Sequence, residues 1–471
     1  MSEQRPSEQA QSMNLTRSLA EFAAGLELGS VPPPIVSRLK LSLLDGIAVM
    51  AGAAVFLKEK GDDTLDRFVD LDDSSGSAVL VGMGRRAPPR TAALVNGTLS
   101  EVLDFSDCVL TVRNHPGAPV IPALLAAAGT RPTTGADLLV AMAAAYEVFT
   151  RICQSIQPSH WYRGFQCTGT IGSCGAAVAA ARLFGADLDE MEAALGIAGF
   201  MMPVSNGDNI FRGHSVKPVH GGAAAMAGYT AAQLAMARFR AGPLEGEPPR
   251  HHGPLPIVAD AIDAGAALDG LGEKWLITDL AYKPYPVGLL NVGAVELCAA
   301  AAREEAFDPG NIGRIRVTTY KDAVHFVSKY TSVESDFIDC YLSLPYCIAA
   351  TLIDGDFWLD QLEEDRIRDA RVHELARRVE VFEDPEMTAR YPHEWPIAIE
   401  IDRSNGPSIK RRVDAVAWSP RRPPSWEEIA DKFERLTQDC FSIDTRWRII
   451  KFVSQLECER KTTDLLDILL S

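Results

Sequence analysis

From Leu15 to about Gly270 the sequence sets Ala and Gly among Leu, Val, Ile and Met at helical spacing, with Pro or Gly interrupting at short intervals. Such a chain hides its apolar stripes by packing helix on helix, and its small side chains let the axes approach closely. Pro32-Pro33-Pro34 opens a helix whose Ile35, Leu39, Leu43, Leu44 and Ile47 share a broad face, with Ala51-Gly52-Ala53 as its expected stop. Further helices are expected over 138–152, with Asp137 as N-cap or first-turn acid, and over 172–183, 188–199 and 223–237. The texture changes past Leu280. Ile315-Arg316-Val317-Thr318-Thr319, Val379-Glu380-Val381 and Ile397-Ala398-Ile399-Glu400-Ile401 read as strands, set among helical stretches at 292–303, 342–352 and 365–378. This second region is α+β with non-sequential strand pairing. After Pro423-Pro424 an N-cap Ser425 with Glu428 at the capping-box position starts an amphipathic helix, and the C-terminal tail is expected to rejoin the first domain.

A chain of 471 residues is about three times the usual ~150-residue domain, so two domains are expected. Lys and Arg total 46 against 63 Asp and Glu, a formal charge of −17, which disfavours nucleic acid and anionic membrane as partners. The nine cysteines are scattered and none forms a C-x-x-C pair, so neither a disulfide framework nor a zinc finger is expected. The polar residues 1–14 lack the order of a signal peptide, and the apolar stretches look too short to span a bilayer. A cytoplasmic protein is the expectation.

Four polar clusters interrupt the apolar background. Asp104-Phe105-Ser106-Asp107-Cys108 followed by Asn114-His115-Pro116 brings two carboxylates and an imidazole together, either as an acid/base site or as turn caps beside a surface histidine. Arg163-Gly164-Phe165-Gln166-Cys167-Thr168-Gly169-Thr170 leads into an Ala-rich helix, which suits an anion or is an ordinary helix start. Lys217-Pro218-Val219-His220 precedes another such helix, and Tyr282-Lys283-Pro284-Tyr285-Pro286 falls at the seam of the two regions. No His, Cys or Asp spacing matches a metal site. Gly-x-Gly-x-x-Gly, P-loop, Gly-x-Ser-x-Gly and His-Glu-x-x-His motifs are absent.

In order, these blocks resemble the MmgE/PrpD family, together with Leu43-Leu44-Asp45-Gly46-Ile47, Ala92-Ala93-Leu94-Val95-Asn96-Gly97-Thr98, Leu342-Ser343-Leu344-Pro345-Tyr346 and Lys432-Phe433. The resemblance implies a mostly α fold: a large all-helical domain formed from both chain ends (15–280 and 416–471) and an inserted, smaller α+β domain (281–415). It also implies a homodimer, no cofactor and no metal, and chemistry at a proton-bearing carbon next to a carboxylate. Carried over residue by residue, it assigns catalytic roles to Asp104, His115, Lys217 and Lys283. The expected mechanism is proton abstraction by His115, oriented by Asp104, with Lys217 and Lys283 facing the aci-enediolate and Tyr285 as a second acid. Arg163, Gln166, Cys108, Thr168 and His220 are the expected substrate contacts.

Four stretches depart from the family pattern. Glu101-Val102-Leu103-Asp104 stands where His-Ala-Leu-Asp is common, Ser106-Asp107-Cys108 where Asp-Asp-Thr is, Gln166 where many members keep a histidine, and Gly288 near a further expected histidine. The leading expectation is a cofactor-independent lyase of the 2-methylcitrate dehydratase type acting on a small carboxylic acid. An isomerase or epimerase, or a catalytically silent carboxylate binder, stands as the alternative.

Overall fold

A computed structural model describes residues 14–72, 75–304 and 307–471; the expected polar tail, up to Met13, lies outside them. The fold is mostly helical with a smaller α+β part. Local chemistry sets the helix starts. Thr134 and Asp137 form a reciprocal capping box at Gly135–Ile156, Asp187 and Glu190 do so at Leu188–Phe200, and Ser425 and Glu428 at Trp426–Thr437. Gly185, at φ 78°, closes Gly172–Phe184 in the left-handed conformation that glycine adopts without a Cβ clash.

The Val219–Met236 helix runs through the centre, against Pro89–Val102 on one side and Gly172–Phe184 on another. Its glycines make both crossings possible. A Cβ on Gly222 would lie 2.1 Å from the Leu94 carbonyl oxygen, and one on Gly228 would lie 2.3 Å from that of Ser173. The Pro33–Glu59 helix passes straight through the expected stop at Ala51-Gly52-Ala53, because Gly52 is a packing contact and not a breaker: a Cβ there would meet Leu436 at 2.9 Å. That contact brings the C-terminal Trp426–Thr437 helix onto the N-terminal one. The Pro33–Glu59 helix also corrects the expectation about apolar stretches. By length and composition it could cross a membrane, yet 72% of its most apolar window is buried inside the fold.

The three expected strands, β3 (Ile312–Thr319), β4 (Val379–Glu383) and β5 (Ile397–Arg403), form one sheet of four with β6 (Ile409–Val413), which the sequence reading did not name, in the order β4-β3-β5-β6. β3 pairs parallel with β4, Ile315 facing Val379, and antiparallel with β5, Ile315 facing Ile401. The pairing is non-sequential, and Ile397, Ile399 and Ile401 alternate inward against the Val292–Ala302 helix. A two-stranded hairpin, β1 (Ala78–Leu80) with β2 (Arg85–Ala87), was not foreseen, and the 365–378 stretch is two short helices separated by the N-cap Asp369. All nine cysteines are free thiols.

Candidate active site

Two chain segments are laid side by side where the Pro89–Val102 helix ends. Asp104 takes a left-handed turn (φ 48°), after which Cys108 and Ala281 exchange backbone hydrogen bonds, Cys108 N–H to Ala281 O at 2.9 Å and Ala281 N–H to Cys108 O at 2.8 Å. This bridge sets Lys283 against Asp104. The chain then folds back through a second bridge, Val109 with Asn114, turning on a left-handed Arg113 (φ 56°), and delivers His115 to the start of the Gly117–Ala128 helix. Lys217 arrives just ahead of the Val219–Met236 helix, whose first turn carries His220.

These groups line one cavity. Lys283 Nζ, fully buried, donates to Asp104 Oδ1 at 2.9 Å and to the Asp104 carbonyl, while Lys217 Nζ stands 3.5 Å from the same Oδ1. Burial alone would raise the Asp104 carboxyl, but the two lysines outweigh it and hold it below its ordinary value. The Glu101 carboxyl is likewise held below its ordinary value: burial opposes this, and the neighbouring His115, the hydrogen bond from His220 Nε2 to Oε2 at 2.9 Å and Lys217 outweigh it. Ser106 donates to the other oxygen at 2.8 Å.

His115 Nδ1 lies 3.0 Å from the Asp107 carbonyl, which can only accept, so this nitrogen carries the proton and Nε2 is left as a free base. Burial first, then the nearby Lys283 and Lys217, push the imidazole down to about 4, against the opposing pull of Glu101 and Asp104. Behind it, burial and the neighbouring Asp45 raise the Asp107 carboxyl to about 7, while that carboxyl accepts from Gly117 N–H at 2.8 Å and Tyr146 OH at 2.9 Å.

Of the residues expected from sequence, Asp104, Cys108, His115, Gln166, Lys217, His220 and Lys283 meet at this cavity. Gln166 Oε1 accepts from Thr168 N–H at 2.8 Å, which leaves its amide NH₂ to face a ligand. Four assignments need correction. Asp104 does not orient His115, since its carboxylate serves the lysines and the Asp107 carbonyl orients the ring. Thr168 stands behind the wall, its Oγ1 accepting from His115 N–H at 3.0 Å. Arg163 is turned outward and paired with Asp260 at 3.1 Å. Tyr285 lies off the cavity beside Asp356 and Glu296, its hydroxyl pushed up to about 12 by burial and those charges. Sequence reasoning gave no site role to Glu101, Arg113 or Asp322, all of which line the cavity. Arg113, two positions before His115, and Glu101, noted only as a departure from the family pattern, carried the available signal. Glu101, Cys108, Gln166 and Gly288, which depart from the family pattern, are all wall residues. Among the described residues no group of three or more His, Cys, Asp or Glu side chains is placed to hold a metal ion.

A helical body joined to a small α+β part, with a buried Lys-Asp-Lys cluster facing a neutral histidine, defines the class of protein. Residues 17–245 match the MmgE/PrpD N-terminal domain and residues 285–457 the MmgE/PrpD C-terminal domain; the chain belongs to the MmgE/PrpD family. It is 26% identical to a cis-aconitate decarboxylase of Mus musculus, over 94% of this chain and 91% of the relative. It is also 26% identical to one of Homo sapiens, over 94% and 92%, and 25% identical to one of Aspergillus terreus, over 97% and 96%. These relatives support an enzyme with lyase-like activity.

Proposed function

We propose that this protein is a lyase that acts on a small carboxylic acid by moving a proton at the carbon next to a carboxylate, with His115 Nε2 as the base. The observation that carries the reading is the His115 tautomer: Nδ1 is spent on the Asp107 carbonyl, and the free Nε2 belongs to a ring that lines the same cavity as Lys217. Lys217 seats the carboxylate, and the Gln166 amide fixes its orientation. When the proton leaves, charge spreads onto that carboxylate as an aci-enediolate, and a preplaced ammonium stabilises it most where water is excluded. Lys283 holds Asp104, and Asp104 holds Lys217 in place. The electron pair then expels a leaving group from the neighbouring carbon, and the protonated His115 returns its proton to that group or to the product. Every charge and proton carrier in this step is a side chain of the protein, so the reading names no cofactor. Tyr285, expected as a second acid, lies off the cavity, so His115 alone carries the proton in this reading.

Three expectations travel with this reading: a homodimer, a cytoplasmic setting, and an α+β unit at 281–415 inserted in a helical domain. The contact of the C-terminal Trp426–Thr437 helix with Pro33–Glu59 supports the last. The test is deuterium from solvent entering a panel of acids. The wild type should label at least one, and His115→Gln should lower the rate by about 10²- to 10⁴-fold while the acid still binds. Labelling at the wild-type rate by His115→Gln would overturn the assignment.

A further inference from the structure

The lysine, arginine and carboxylate charges of the cavity are equal in number: Lys217, Lys283 and Arg113 against Glu101, Asp104 and Asp322. The matches are local: both lysines face Asp104, and Arg113 Nη2 sits 2.7 Å from Asp322 Oδ2. An acid with several carboxylates would bring charges into this space with no partner for the second and third, and a buried charge without a partner is strongly disfavoured.

One cation has an open place. Lys217 Nζ is buried, with 3% of its side chain exposed, and no group among the described residues accepts a hydrogen bond from it. A single ammonium with unused donors seats a single carboxylate. Beyond it the wall is apolar: Leu110, Leu289, Leu290, Phe326, Val327 and Leu342. Arg113 Nη1 is also a buried donor without an acceptor among the described residues. Its charge is met by Asp322 and its guanidinium lies 4.8 Å from the Trp161 ring centre, so a neutral oxygen suits it better than a second carboxylate.

Resting on the reading above, we propose that the substrate is a monocarboxylic acid bearing an apolar arm, its carboxylate on Lys217 and its arm along Leu289, Leu290 and Leu342. The class differs from the acid in the names of the relatives, and it follows from what this chain places on the cavity wall.

The experiment compares deuterium labelling and calorimetric binding for three sets of probes: monocarboxylates with branched or linear alkyl arms and a hydroxyl on the β carbon, dicarboxylates, and the tricarboxylates cis-aconitate and 2-methylcitrate. The expected result is a kcat/KM for labelling at least tenfold higher for the alkyl monocarboxylates, with binding in the same order. Preferred labelling of a di- or tricarboxylate overturns this inference and leaves the His115 chemistry standing. If no acid is labelled, the chemistry fails and binding decides the inference: tighter alkyl monocarboxylate binding supports it, and tighter polycarboxylate binding or none at all overturns it. Leu290→Lys adds a cation to the apolar wall and should reduce the monocarboxylate advantage at least tenfold in a variant with an unchanged circular dichroism spectrum. An unchanged preference overturns the placement of the arm.

Discussion

His115 is set for its task from two directions: a carbonyl behind the ring fixes which nitrogen carries the proton, and burial keeps the ring neutral. The pH dependence follows. The neutral ring is the active form, so kcat/KM should hold as pH falls through the ordinary histidine value of ~6.5 and decline only near 4. A pH–rate profile with its acid limb at 6.5 would contradict this. Stability has the same sign: between those values the unfolded chain carries a proton on this ring that the folded chain rejects, so His115 makes folding less favourable as pH drops through that window. Asp104, His115, Lys217 and Lys283 were legible in the sequence because each sits in a block with recognisable neighbours. Arg113, Glu101 and Asp322 were not, since their roles depend on a bridge between Cys108 and Ala281 and on a strand-to-helix turn that brings Asp322 across from a distant segment. Tyr285 illustrates the opposite error. It shares a block with Lys283, yet two residues along a proline-stiffened segment turn it away.

At the scale of elements, the fold turns on glycines that let helices touch. Gly97 and Gly222 face each other across the Pro89–Val102 and Val219–Met236 helices, and a Cβ on Gly222 would also meet Thr98 Oγ1 at 2.5 Å. Gly222→Ala should therefore cost about 1–3 kcal/mol by overpacking, read as a lowered Tm. Gly25→Ala, with no atom within 4 Å of the added Cβ, is the control and should leave Tm unchanged or raise it. Sequence reading succeeded where a local rule decides: the Ser425–Glu428 capping box marks a helix start, and β-branched alternation marks β3 and β5. It failed where a tertiary contact decides. Gly52 looks like a stop until Leu436, far along the chain, is seen against it, and three-residue strands such as β1 and β2 are too short to show a period.

Across the whole molecule, one buried lysine ties the chain ends to the site. Lys432, on the Trp426–Thr437 helix, pairs with Asp45 at 2.7 Å and donates to the carbonyls of Phe105 and Lys283 at 3.1 Å each, holding the neighbours of Asp104 and Lys283 itself. Lys432→Met leaves Asp45 buried and unpaired and should cost about 3–5 kcal/mol in chemical denaturation. Asp45→Asn combined with Lys432→Met should recover part of that stability, but not the alignment of the two carbonyls, so labelling activity should stay low. This arrangement also orders events during synthesis. A ribosome adds roughly 5–20 residues per second and most of the helical body is out first, but the clasp on both site segments waits for residue 432 of 471. The nascent chain thus carries every acid, base and lysine of the cavity for seconds before the Trp426–Thr437 helix locks them together, and a chain cut short before Lys432 has the groups of the site without their alignment.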